Sequence, residues 1–182
     1  MKRISMVVVF LVASFAVMST ASAQPSGQPE RSGFWAGFGL GIGNMSFDGV
    51  DDRTGGGTAK IELGGTVTER LLLGGGIHMW VREDSELDTT LALSTVTFMT
   101  RFYPMIENGL HLKGGIGVGA LEAELGDIDS SDEGGGAFLG LGFDAPIGQS
   151  WNVTPFLTFV AVSLDGGIDA NFNQIGLGLT YH

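Results

Sequence analysis

From Phe34 onward the apolar positions recur at every second residue rather than every third or fourth. A period of two sends alternate side chains to opposite faces of a strand. Eight segments predict strands: Phe34–Met45, Gly57–Val67, Leu71–Arg82, Thr89–Tyr103, Leu110–Leu121, Gly136–Ala145, Trp151–Val162 and Ala170–Tyr181. Each has about ten residues or more, the length a tilted strand needs to cross a bilayer. In the first, Phe34, Ala36, Phe38, Leu40 and Ile42 share one face and Gly37, Gly39, Gly41 and Gly43 the other. In the fifth, Leu110, Leu112, Ile116, Val118 and Ala120 oppose His111, Lys113, Gly115, Gly117 and Gly119. In the second, Ile61, Leu63 and Val67 oppose Lys60, Glu62 and Thr66. The phase changes twice, between Leu93 and Val96 and near Asn173–Gln174. A bulge, or strand ends displaced from these, accounts for either change.

One face of these strands is therefore apolar, and the other holds glycine, polar groups and charges. A soluble barrel would turn the apolar face inward. Here glycine and small residues suit the narrow lumen of an eight-stranded barrel, while charges are costly against lipid. Only closed barrels and helices satisfy the backbone inside a membrane. The expected fold is all-β: an eight-stranded antiparallel transmembrane up-and-down β-barrel. The connections alternate in length. Thr68–Arg70, Pro104–Gly109 and Pro146–Ser150 are short, while Phe47–Gly56, Glu83–Asp88, Glu122–Gly135 and Ser163–Asp169 are longer or more acidic. Short turns belong on the periplasmic side, so both termini are expected there. Phe34, Trp35, Phe102, Tyr103, Trp151 and Tyr181 fall at the periplasmic strand ends and are assigned to an aromatic girdle; Phe47, Trp80, Phe138 and Phe172 fall near the other rim.

The segment before the strands reads as a targeting signal. Lys2 and Arg3 precede an apolar run from Met6 to Met18, and Ala21-Ser22-Ala23 forms a small-residue cleavage site. The run is too short to span a bilayer as a helix. The expected organisation is a signal peptide over 1–23, a flexible periplasmic leader over 24–32 and a barrel over 33–182. Cysteine is absent and the net charge is −11. That charge excludes nucleic acid as a partner, because such a partner needs a basic surface.

The chain resembles the outer-membrane β-barrel superfamily that includes the OmpA/OmpX-type small barrels. The resemblance rests on the opening Gly33-Phe34-Trp35 and on the closing strand Gln174-Ile175-Gly176-Leu177-Gly178-Leu179-Thr180-Tyr181-His182. It implies the outer membrane of a Gram-negative bacterium, contact with its lipids and lipopolysaccharide, and insertion by the barrel-insertion machinery. The family's last strand usually ends in an aromatic residue, whereas here Tyr181 precedes His182. The peptidoglycan-binding role of larger family members is not implied.

The most specific chemistry faces the lumen. Counting from the turns sets Arg101 opposite Lys113, Lys113 near Asp144, and Asp144 near Asn152; Lys60, Glu62 and His78 form a second polar layer. Buried charges need partners, so a network over Lys60, Glu62, Arg101, Lys113 and Asp144 is expected. Its first reading is a plug that rigidifies the lumen, and its second a gate that opens when pairs exchange. Most of the 20 acidic residues sit in the long loops, read first as a solvated surface and second as a bridge through divalent cations to lipopolysaccharide. Asp127-Ile128-Asp129-Ser130-Ser131-Asp132 begins like a calcium loop, but Asp132 stands where glycine is needed and Phe138 where the closing glutamate belongs. The Gly-x-Gly runs lack the spacing and helix of a nucleotide site. The histidines are His78, His111 and His182, and no nucleophile–base–acid set is apparent. No cofactor is expected. The function expected is a non-enzymatic barrel with a structural, envelope-stabilising or surface-interaction role. The alternatives are a narrow gated channel for small solutes and a lipid A-modifying enzyme.

Overall fold

Residues 31–49, 53–84, 89–125, 128–167 and 169–182 are described by the computed structural model. The expected signal peptide, 1–23, and residues 24–30 of the expected leader lie outside the described residues. The alternating segments form β1 (Phe34–Phe47), β2 (Thr54–Thr68), β3 (Leu71–Asp84), β4 (Thr89–Phe102), β5 (Leu110–Leu125), β6 (Ile128–Phe143), β7 (Ala145–Pro146), β8 (Trp151–Leu164) and β9 (Asp169–Tyr181). Each strand pairs antiparallel with its neighbour, and the β1–β9 and β6–β8 pairings close the sheet. Eight long strands thus form a closed antiparallel barrel. β7 is a two-residue continuation in which Ala145 and Pro146 pair with Val153 and Asn152 of β8. No described helix is long and apolar enough to cross a membrane; the crossing elements are strands.

The ends of the barrel differ. At one end, called terminal here, Gly33 and His182 join the short turns through backbone bonds such as Thr66 N to Gly33 O (2.8 Å) and His182 N to Ser150 O (3.0 Å). At the far end the strands run on. The stretch Glu122–Gly135, expected to be a loop, is mostly strand: β5 continues to Leu125 and β6 starts at Ile128. The reason is visible in Leu121-Glu122-Ala123-Glu124-Leu125, where the period of two persists. An acidic hairpin can keep its ladder beyond the membrane because water solvates its polar positions.

The outer wall is apolar, with Ile42 70%, Ile116 72% and Leu139 73% exposed. The lumen is not uniformly polar, which corrects the two-face expectation. Its far half is packed with Met45, Trp80, Leu93, Phe138, Val160, Val162, Leu164 and Phe172. The two phase changes have this cause. Pairing along β4 and β9 runs without a shift, so neither holds a bulge. Leu93 and Phe172 keep the alternation and point into the lumen. An eight-stranded lumen is narrow enough for side chains to fill, and apolar ones fill it as well as polar ones. The register shift among the pairs of β2 and β3 lies at Thr66/Thr68.

The girdle assignment is corrected at two residues. Trp35 and Tyr103 are fully buried in the lumen. Phe34, Phe102 and Trp151 are exposed on the wall, and Tyr181, half-buried, meets Trp151 edge-on at 5.4 Å. Neighbours in a strand face opposite ways, so Phe34-Trp35 and Phe102-Tyr103 can each give only one member to the girdle. Trp80, Phe138 and Phe172, near the other rim by sequence, are likewise inside.

Candidate functional site: a charged cluster in the lumen

Lys60, Glu62, Arg101, Lys113 and Asp144 all lie inside the terminal half of the barrel, each at most 3% exposed. Lys60 and Glu62 share a face because they are two apart on β2. Arg101 on β4 stands across the ladder from Lys113 on β5. The side chains need room, and glycine supplies it. A Cβ on Gly39 would stand 2.6 Å from the Phe156 ring and 2.9 Å from Lys60 Cε.

Glu62 is the hub. Its Oε2 accepts from Arg101 Nη2 at 2.7 Å, its Oε1 accepts from Lys113 Nζ, and Lys60 Nζ stands 3.3 Å from Oε2. Lys60 also lies over the Phe156 ring at 4.0 Å, and Arg101 over the Trp35 indole at 4.4 Å. Both contacts are favourable cation–π geometry.

Asp144 is the second centre. Tyr103 and Thr154 hydroxyls donate to its two oxygens at 2.7 Å each, and His182 Nε2 lies 3.2 Å away. Arg101 Nη1 is 3.9 Å and His111 Nδ1 3.7 Å from the same carboxylate. Burial lowers the His182 imidazole below its ordinary value, against the pull of the Asp144 hydrogen bond. A neutral ring bonds Asp144 only as the tautomer protonated at Nε2. Arg101 spans the two centres, also reaching the Tyr103 hydroxyl at 3.4 Å. Arg31, just before β1, stacks 3.7 Å over the Tyr103 ring and donates to Ile106 O at 3.0 Å.

Two pairings from turn counting change, and so does the grouping into two layers. Lys113 lies opposite Gly140, not Asp144, and its carboxylate is Glu62. Asn152 donates to Thr180 O at 3.4 Å rather than meeting Asp144. The layer of Lys60, Glu62 and His78 is not separate: Glu62 joins it to Arg101 and Lys113, whereas His78 pairs with Gln174 at 3.1 Å and packs on Phe138 at 4.4 Å. Counting along the sheet finds neighbours on the wall. Partners across a narrow lumen are set by strand tilt and shear, which counting does not carry. Tyr103 is hidden from counting for this reason, whereas Thr154 is a wall neighbour: the register that pairs Ala145 with Val153 puts it, and not Asn152, beside Asp144.

The arrangement holds three cations against two carboxylates, an interior of positive excess in a chain of net charge −11. Its chemistry is mutual neutralisation. Among the described residues, no group of three or more His, Asp or Glu side chains is placed to hold a metal ion.

Comparison with known proteins agrees with this architecture. The family described as outer membrane protein β-barrel domain matches residues 13–182. Neisserial surface protein A superposes with a TM-score of 0.62 at 13% identity, covering 82% of this chain and 97% of that one. Ail, the attachment invasion locus protein of Yersinia pestis, solved with the heparin analogue sucrose octasulfate, superposes with a TM-score of 0.60 at 18% identity, covering 82% and 99%. At such identities the likeness is one of fold. A search of curated proteins returns no match. With nearly its whole length matched, the chain belongs to the outer membrane protein β-barrel domain family.

Proposed function

We propose that this protein is a non-enzymatic outer-membrane barrel whose lumen is plugged by its own side chains and whose working surface is the set of far-end hairpins. One observation carries the reading: the lumen is filled twice in series, by the Glu62–Asp144 cluster and then by the apolar packing around Trp80, Phe138 and Phe172. A solute would have to displace both. The short turns at the terminal end support a periplasmic location for the termini, with the longer hairpins outside and lipopolysaccharide around them. Insertion by the barrel-insertion machinery, after removal of a signal peptide, belongs to the same reading.

Planar-bilayer recordings test the plug. The pure protein is expected to give no discrete openings, and steady unitary conductance would overturn the reading in favour of a channel. That second reading has one observation behind it: Arg101 already lies within reach of both carboxylates, so an exchange of partners is a short motion.

The far-end surface narrows the class of partner. Asp48, Glu83, Glu122, Glu133, Asp165 and Asp169 are exposed there, against Arg53 and Arg82. Ail was solved with a polysulfated sugar; this surface repels one. The barrel in detergent is expected to pass through immobilised heparin unretained at low salt, where electrostatic binding is strongest. Salt-dependent retention would overturn the assignment of a cationic or neutral partner.

A further inference from the structure

We propose that residues 31–33 form a strap that shuts the terminal mouth of the barrel, held down by Arg31 on the Tyr103 ring. The path of the chain carries the inference. Arg31 precedes β1, yet its guanidinium lies 3.7 Å over the Tyr103 ring and donates to Ile106 O at 3.0 Å, both in the connection between β4 and β5. In the closed ring of long strands, β5 is four strands from β1 in either direction. Arg31 therefore reaches the opposite rim, and the segment must pass over the opening to do so. Burial agrees with this path. Arg31 is 4% exposed, although Ser32 and Gly33 beside it are exposed. An arginine is rarely buried without partners, and here an aromatic face and a carbonyl serve as partners.

The turn between strap and strand suits that path. Gly33 holds φ +77°, a conformation that favours glycine, and its carbonyl accepts from Thr66 N of β2 at 2.8 Å. One end of the strap is thereby fixed at the rim of β1 and β2, and Arg31 fixes the other at the β4–β5 rim. His182 covers the mouth from the β9 side. Its ring meets Tyr103 edge-on at 6.3 Å, and its Nε2 is 3.4 Å from the Tyr103 hydroxyl. Tyr103 is the shared seat, and the same hydroxyl donates to Asp144. Strap and charged cluster are coupled through this one side chain. A rearrangement that moves Tyr103 off Asp144 loosens the strap, and lifting the strap loosens Tyr103, because such coupling is reciprocal.

Protease access tests the strap without depending on conductance or on which end faces outward. Trypsin cuts after arginine, so the Arg31–Ser32 bond reports when Arg31 leaves its seat, and the rate follows the population of the open form. The barrel folded in micelles is expected to resist at this bond. Tyr103→Leu removes the ring and should speed the cut about tenfold, the scale of one desolvated cation–π contact. Tyr103→Phe keeps the ring but loses the bond to Asp144, and should fall between. The cut after Arg70, exposed in a turn on the same rim, is the internal control and should keep its rate. A second measurement uses the absence of native cysteine. Asn152→Cys places a thiol in the terminal half of the lumen, where Asn152 is fully buried. A charged thiol reagent should label it slowly, and about tenfold faster once Arg31→Ala is added. The heat-dependent gel shift and β-type circular dichroism confirm that each variant is folded. Cleavage of the wild type at Arg31–Ser32 as fast as that of Tyr103→Leu overturns the proposal. So does labelling that Arg31→Ala leaves unchanged, or a cut after Arg70 that speeds equally, which would mean general loosening.

Discussion

Glu62→Ala is expected to destabilise this barrel more than any other single substitution. The carboxylate is fully buried and is shared by Lys60, Arg101 and Lys113. Removing one partner of a buried ion pair costs about 3–5 kcal/mol, because a desolvated charge is left unmatched. Here three cations lose the same partner, so the upper end of that range is the expectation. The urea midpoint of the barrel in micelles, read by tryptophan fluorescence and by the gel shift, should fall sharply. Glu62→Gln keeps the shape and some hydrogen bonding and should fall less. Lys113→Met placed on Glu62→Ala should recover part of the loss, the non-additivity expected of groups in one network. A Glu62→Ala barrel with a wild-type urea midpoint would mean that the cluster carries no net energy.

The contrast with wholesale replacement is informative. Exchanging a buried ionic group for well-packed apolar residues is often neutral or stabilising. The far half of this lumen shows that apolar packing can fill such a barrel. The charged half is therefore not required for filling. Its positive excess and its contact with the segment before β1, through Arg31 over Tyr103, give it properties that an apolar plug lacks.

Much of this was legible in the residues. Phe34 to Gly43 alternates so strictly that strand, face and lipid exposure follow from the period alone, and β1 lies where that period places it, extended by two residues to Phe47. The five lumen charges were legible for the same reason, since a period of two and a costly lipid face leave them one direction to point. What failed was anything that needed a third dimension. Leu93, Val160 and Phe172 look lipid-facing by composition, and only the unbroken register shows that they face inward. The girdle error was avoidable, because adjacent aromatics cannot share a face. The hub at Glu62 was not accessible to counting: it links residues 51 and 39 positions apart across the lumen.

Trp80→Ala is expected to be the second most damaging change, and it separates the two halves of the proposed plug. The indole is fully buried in the far half, and its Nε1 donates to Gly43 O at 3.3 Å. The close approach of its ring is what Gly56 permits, since a Cβ there would lie 2.6 Å from the indole. Truncating a buried aromatic to alanine costs about 3–5 kcal/mol, from lost burial and from the cavity left in a wall that hydrogen bonding keeps from collapsing. The urea midpoint should fall by a corresponding amount, with Trp80→Phe between. On the proposed reading conductance should not appear, because Glu62 and its three cations would still fill the terminal half. Two plugs in series predict openings only when both are broken, in Trp80→Ala combined with Glu62→Ala. If Trp80→Ala alone conducts, the charged cluster is no barrier and the apolar half is the gate.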